Sequence, residues 1–291
     1  MLFVLKREEP FYCIIKVMIK LSNTDACVLP GSVNLNEFQG KENNVVCIAP
    51  HPDDDALGVG GSLKMHAENE DNVFTVFVTS GSGSPATGGK RTPASLAALR
   101  QEEAVKSMRI YGALAGIFLG YEAADAREVK TEEVTQDIFR VLIALKPARI
   151  YVPSPFEKHP THIACLQRTL EAIYRVPGFV PELRGYGVWG DIFAAESELE
   201  IVDITDVIDV KKRACRAHES QCKNTTRDVA MAGYNHYIAS YNDPLVAVEG
   251  TRYSEKLLIM NEIVSRPELG VDVYARNLAL KHLHDLYQGD N

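Results

Sequence analysis

Two kinds of apolar run alternate along the chain. The first kind is short, β-branched and apolar at nearly every position: Val45 to Ala49, Val73 to Thr79, Gly116 to Leu119 and Ala148 to Val152. Each ends in Gly, Pro or Ser, the pattern of strands covered on both faces. The second kind has the helical period. Ala56, Leu57, Leu63 and Met65 follow the first strand, and Leu96, Leu99, Ala104, Met108 and Tyr111 fall near one face of a helix predicted over Pro93 to Tyr111. Thr131 to Lys146, opened by Glu132 and Glu133 and stopped by Pro147, and Thr161 to Arg175 predict two more. Strand and helix in strict alternation predict right-handed βαβ units. The expected fold is therefore α/β: three layers, a mostly parallel sheet with helices on both faces.

Beyond Arg175 the pattern thins. Val188 with Trp189, Leu199 to Asp203 and Tyr253 to Met260 predict strands, Asp206 to Gln221 a charged helix, and Val271 to Tyr287 a closing amphipathic helix. Residues 1–43 carry no clear period and are expected to be an N-terminal extension or packed arm, with Met18 as an alternative start. Residues 44–225 form the expected core, and 226–291 a C-terminal part packed on the same domain.

Composition narrows the partners more than the fold. The chain has 291 residues, 46% hydrophobic and 24% charged, with a formal charge of −8 and no Lys/Arg block. Wholesale binding to nucleic acid or to an anionic membrane is disfavoured. The six cysteines form no Cys-x-x-Cys pair and are sparse for this length, so a cytoplasmic, reduced protein is expected. Lys6 to Pro10, Lys16 and Lys20 interrupt the apolar N-terminal clusters, and neither cluster makes a signal core or a membrane span. A homo-oligomer stays open.

The candidate chemistry stands where the first strand ends. His51, Asp53, Asp54 and Asp55 sit among two prolines, and His159 and His162 follow the strand Ala148 to Val152 in a second strand-to-helix turn. In an open α/β sheet both turns belong to the ligand-binding edge. Two imidazoles and one carboxylate, with water in the fourth position, form the ligand set of a catalytic zinc site. Asp53, beside Asp54 but pointing elsewhere, could stay off the metal as general base. Spacing alone leaves two other readings open. An Asp triplet before a helix can be a solvated N-cap, and the same donor set serves non-haem iron oxygenases.

Ala49-Pro50-His51-Pro52-Asp53-Asp54-Asp55 with Gly60-Gly61, followed by His159-Pro160-Thr161-His162, resembles the LmbE-like, or PIG-L-like, N-acetylglucosaminyl deacetylases. Thr79-Ser80-Gly81, Arg100-Gln101-Glu102-Glu103 and His218-Glu219-Ser220-Gln221 extend the resemblance from Asn44 to Gln221. It implies a Rossmann-like, zinc-dependent hydrolase, another divalent metal being compatible with the same donors, that removes acetyl from an N-acetylated amino sugar or glycoconjugate. It implies His51, Asp54 and His162 as metal ligands and Asp53 as general base. His159 would stabilise the oxyanion or protonate the leaving amine, and Arg100 and Asp125 would bind substrate. A helix charge paired with Glu103 is the competing expectation for Arg100.

Two positions depart from the family pattern. Asp55 stands where Glu is usual, and Thr161 replaces an Asp that can orient the preceding His, which leaves His159 expected to be less basic. These departures keep a catalytically weak or silent sugar- or metal-binding module as an alternative. Trp189 is expected in the core or as a wall of the sugar site, and His218 in a polar contact to the site or in packing. Specificity is expected in the loops Ser80 to Gly89 and Gly120 to Arg127 and in the C-terminal third.

Overall fold

The computed structural model describes residues 21–23, 26–29, 33–223, 225–241 and 252–288. Met18 and most of the expected N-terminal extension lie outside them. Strands β1 (Cys27–Leu29), β2 (Asn44–Ala49), β3 (Asn72–Thr79), β4 (Ala115–Tyr121), β5 (Arg149–Pro153), β6 (Glu182–Tyr186), β7 (Leu199–Asp203) and β8 (Ser254–Ile259) form one mixed sheet. Their order is β1-β4-β3-β2-β5-β6-β8-β7. The five strands from β4 to β6 are parallel, while β1, β8 and β7 join antiparallel.

The helices are α1 (Asp54–Glu68), α2 (Pro93–Tyr111), α3 (Thr131–Leu145), α4 (Pro160–Tyr174), α5 (Ile208–Arg216), α6 (Glu219–Cys222), α7 (Arg227–Tyr241), α8 (Asn261–Ser265) and α9 (Gly270–Gln288). They cover both faces of the sheet. Val46 and Ile48 of β2 join a core with Val134, Ile138, Leu166 and Leu170 of α3 and α4, while Val45, Cys47 and Ala49 join another with α1, α2 and α5. Alternate side chains thus enter opposite layers and both are buried. That double burial is why β2 reads as an unbroken apolar run.

The expected three-layer α/β sandwich is the architecture found, and three local expectations change. Val188 and Trp189 lie in a loop, and the strand in that region is Glu182–Tyr186. Arg184 of β6 and Glu200 of β7 pair across the sheet, and Glu200 also accepts from Arg149 at 3.0 Å, so charged residues occupy strand positions that composition disfavours. The charged helix Asp206 to Gln221 is interrupted at His218 (φ −82°, ψ 61°). Helix α7 was not expected, since its sequence has little amphipathic period. The C-terminal strand expected over Tyr253 to Met260 is found as β8, Ser254–Ile259, inserted between β6 and β7.

Helix α1 is broken internally. Val59 has φ −133° and ψ 20°, and just past it the amides of Gly61 and Ser62 each donate at 2.8 Å to the carboxylate of Glu255 from β8. The carboxylate caps the second half of α1 as an N-cap would. Lys211 of α5 neutralises it, Nζ donating to Oε1 at 2.6 Å, with both side chains at 1% exposure or less. A Cβ at Gly61 would lie 2.6 Å from Ile204 and 2.9 Å from Glu255, so the close approach requires glycine there.

The strand order of the five parallel strands places a switch point between β2 and β5, whose outgoing turns run to opposite faces. The crevice between those turns is the ligand position of doubly wound sheets. No helix among the described residues is long and apolar enough to cross a membrane.

Candidate metal centre

The turn after β2 holds its shape through Thr79 of the neighbouring strand. Its amide (3.0 Å) and hydroxyl (2.7 Å) both donate to Pro50 O, fixing the carbonyl between the two prolines. The chain then passes through Asp53 with φ +144° and ψ −22°. Such a conformation in a residue with a Cβ costs about 1–3 kcal/mol and persists only where the surroundings impose it. It directs the adjacent carboxylates to different neighbours.

Asp54 turns inward. Its Oδ2 accepts from the His51 amide at 2.8 Å and stands 3.0 Å from His51 Nδ1 and 3.2 Å from His162 Nε2. The rings of His51, His159 and His162 form a triangle with centroids 5.0–5.3 Å apart. One donor atom from each of His51, Asp54 and His162 lies within 4.8 Å of the others, making them the candidate ligand set among the described residues. Two donors on one tetrahedral ion, at bonds of about 2.0–2.2 Å, stand about 3.3 Å apart, so these spacings fit. His162 Nε2 is buried and makes no hydrogen bond despite its approach to Asp54, as an atom shaped for a metal would.

Charge points the same way. His162 lies between Asp54 and Glu157, whose Oε2 is 3.3 Å from Nδ1. Burial opposes a charge on the imidazole, but the two carboxylates outweigh it and push its pKa up to about 10. Asp54, which burial would raise, is held well below the usual carboxylate range by His162 and His51. The cluster calls for a cation between its acids, which a proton or a divalent metal can supply. Metal binding must displace protons and weakens as pH falls.

Glu157 was not singled out in the sequence, because nothing in its spacing marks it. Its carboxylate also accepts from the amides of Val188 and Trp189, the latter at 3.1 Å, and so ties the loop after β6 to the His162 ring. A buried carboxylate on the outer nitrogen of a ligand imidazole fixes its tautomer and raises its basicity. Glu157→Gln is expected to weaken zinc affinity by about 10–100-fold, read by competition with a chromophoric chelator. Affinity within twofold of wild type would remove Glu157 from this role.

Asp53 faces two guanidinium groups. Oδ1 accepts from Arg100 at 2.8 Å and Oδ2 from Arg227 at 3.0 Å. Burial raises its pKa, with Arg100 opposing and Asp54 adding to the rise. Arg100 is 3% exposed and also donates to Pro52 O (2.7 Å) and Gly81 O (3.0 Å). Gly81, at φ +67°, is where a Cβ would strike that guanidinium at 2.4 Å. Arg100 is therefore held by Asp53 and by two backbone carbonyls, and the competing expectation, a pairing with Glu103, is not among its contacts. Glu103 accepts from the amide and hydroxyl of Ser220 (2.8 and 2.6 Å), and Gln221 accepts from Ser84 at 2.7 Å. The motifs at Thr79, Arg100 and His218 are thus joined behind Asp53. His218 is fully buried beside Arg100, and burial, then that charge, pushes its imidazole down to about 3.

The two departures from the family pattern are both buried. Asp55 accepts from Tyr111 Oη at 2.6 Å, and burial lifts its pKa to about 7 against that hydrogen bond. Thr161 donates its amide to His159 Nδ1 at 3.3 Å, so a backbone group orients the ring where a carboxylate would otherwise do so. With Nδ1 accepting, the proton of neutral His159 sits on Nε2. Burial, with His51 and His162, lowers the His159 pKa. Asp125 lies in the turn after β4, where it accepts from the Glu122 amide at 3.1 Å and pairs with Lys130 at 3.4 Å, and Glu122 accepts in turn from the hydroxyls of Ser80 and Ser82.

Arg227 also lines a cavity of about 380 Å³ between α7 and the loop after β6, with Leu57, Trp189, Tyr234 and Lys256 among its walls.

Known proteins resemble this chain in sequence and in fold. The family model described as GlcNAc-PI de-N-acetylase (PIG-L) matches residues 46–173. Diacetylchitobiose deacetylase of Thermococcus kodakarensis is 30% identical over 232 residues, 76% of this chain and 84% of that one. A Bacillus subtilis protein named probable N-acetyl-alpha-D-glucosaminyl L-malate deacetylase 2 is 27% identical, over 65% of this chain and 87% of its own. In fold, the chain is similar to N,N'-diacetylchitobiose deacetylase from Pyrococcus horikoshii, with a TM-score of 0.64, 24% identity, and coverage of 80% of this chain and 89% of that one. The chain belongs to the PIG-L, or LmbE-like, family of N-deacetylases.

Proposed function

We propose that this protein is a zinc-dependent N-deacetylase that removes acetyl from an N-acetylglucosamine-type sugar or glycoconjugate in the cytoplasm. The observation that carries the reading is the division of labour between neighbouring acids: Asp54 faces two imidazoles and Asp53 two guanidinium groups. His51, Asp54 and His162 would hold the ion. A divalent ion there supplies Lewis acidity toward water and toward the acetyl carbonyl.

The remaining steps belong to side chains. Asp53, fixed through Oδ1 by Arg100, takes a proton from the attacking water at Oδ2 and delivers it toward the departing nitrogen. His159 presents its Nε2 proton to the developing oxyanion or to the leaving amine. Arg100 positions the base, and Asp125, held in the turn after β4, would contribute a contact to the substrate. The relatives named as deacetylases of diacetylchitobiose and of an N-acetylglucosaminyl malate support an amino-sugar substrate.

The test is acetate release from N-acetylglucosamine and diacetylchitobiose by zinc-loaded protein, with metal content measured in parallel. About one ion per chain with acetate release is expected. Bound metal without acetate from either sugar would favour the silent binding module, and iron-dependent oxygen consumption the oxygenase.

A further inference from the structure

We propose that Glu122, in the turn after β4, is a positioning residue of the reaction: its carboxylate fixes the two serines that flank Gly81, and through the Gly81 carbonyl it sets how Arg100 meets Asp53. This rests on the deacetylase reading and extends it to the loop that holds the base in place.

The loop after β3 has little in its own sequence to hold one shape. It reads Ser80-Gly81-Ser82-Gly83-Ser84, and its two glycines leave the backbone unusually free. Gly81 is buried at φ +67°, with its carbonyl turned to Arg100 Nη1 at 3.0 Å. Neighbours have to impose that direction. Glu122 supplies the constraint: Oε1 accepts from the Ser80 hydroxyl at 3.0 Å, and Oε2 accepts from the Ser82 hydroxyl. A carboxylate accepts through two oxygens and donates through neither, so the two hydroxyls on either side of Gly81 are its match. Glu122 is itself held, since its amide donates to Asp125 at 3.1 Å and the Tyr121 carbonyl before it accepts from the Ser80 amide at 2.8 Å.

The constraint passes on through a rigid group. A guanidinium is planar, so the direction of Nη1 fixes that of Nη2. Arg100 Nε makes no hydrogen bond among the described residues, which leaves the Nη1 bond to Gly81 to set the plane from the side away from Asp53. Nη2 then donates to Pro52 O at 2.7 Å and to Asp53 Oδ1 at 2.8 Å. Both oxygens of Glu122 are engaged by the loop. A direct contact with substrate is the competing role, and it predicts a change in KM where positioning predicts one in kcat.

The test pairs NMR of isotope-labelled arginine side chains with kinetics, both on the full-length, zinc-loaded protein. The Arg100 signals are those lost in Arg100→Lys, and a guanidinium held in one plane shows its two Nη groups separately. In Glu122→Ala these should merge. There kcat for acetate release from diacetylchitobiose should fall about tenfold with KM within about twofold, the effect of a base held slightly out of place. The double variant Ser80→Ala, Ser82→Ala, which removes both donors and leaves Glu122, should reproduce the two changes. Glu122→Gln, which can accept from one serine and donate to the other, should recover most of the loss. In the Arg100→Lys background, whose ammonium has no plane to set, Glu122→Ala should cost less than about twofold more. Unmoved Arg100 signals in both alanine variants, a raised KM with unchanged kcat, or losses that multiply would overturn the positioning role. Arg100 signals that respond in a protein releasing no acetate would overturn the deacetylase reading and leave the linkage from Glu122 to Arg100 standing. Acetate release with the signals and kcat both unmoved would do the reverse.

Discussion

Asp53→Asn is expected to lower kcat/KM for acetate release by about 10³-fold while metal content stays at the wild-type level. The substitution keeps size and polarity but removes the group that accepts the proton. It leaves Asp54 with its contacts to His51 and His162. It also turns an amide NH2 toward one of two guanidinium groups, so that Arg100 or Arg227 loses its acceptor. Initial rates of acetate release, with metal measured by atomic emission on the same sample, separate the outcomes. A rate within tenfold of wild type would remove Asp53 as the base. Loss of rate together with loss of metal would make the defect one of site assembly.

Lys211→Met should destabilise the fold by about 3–5 kcal/mol, because it leaves the Glu255 carboxylate charged, buried and without its counter-ion. In a chain of this size that corresponds to a fall in Tm of about 10 °C, measured by calorimetry. The carboxylate would keep the amides of Gly61 and Ser62, so part of its stabilisation survives. The double variant Lys211→Met, Glu255→Gln should recover a good part of the loss, since a neutral amide needs no counter-ion there. Additive losses in the double variant would show that Lys211 acts through packing and not through charge.

Much of the site could be read in the sequence because it is built from strand ends. The turns after β2 and β5 are marked by proline and by the change from β-branched runs to helical period, and both His-containing motifs fall inside them. Local signals of this kind survive without a structure. Partners that arise from contacts across long stretches of chain do not. Glu157 has an unremarkable place between Phe156 and Lys158, and only burial against His162 gives it a role. Arg227 lies 174 residues from Asp53 and on a helix with little amphipathic period. Arg100 was found by motif, but its partners depend on Pro52 and Gly81 coming within its reach. The fold shows the same division. The buried parallel strands were legible as apolar runs, while Glu182–Tyr186 was missed because its charges are paired across the sheet.

The Glu255 cap has a consequence for the order in which the protein is made. The centre is assembled from residues 51 to 162, but the helix that carries Asp54 is completed by a carboxylate about two hundred positions further on. Until β8 has been synthesised, β6 and β7 have no strand between them, Lys211 has no counter-ion, and the amides at the break in α1 are uncapped. A nascent chain long enough to contain every candidate ligand is therefore still without the contacts that complete the second half of the helix carrying Asp54. The native form of that helix then belongs to a chain that includes β8, so the candidate ligands of the centre emerge before the helix beside them is complete.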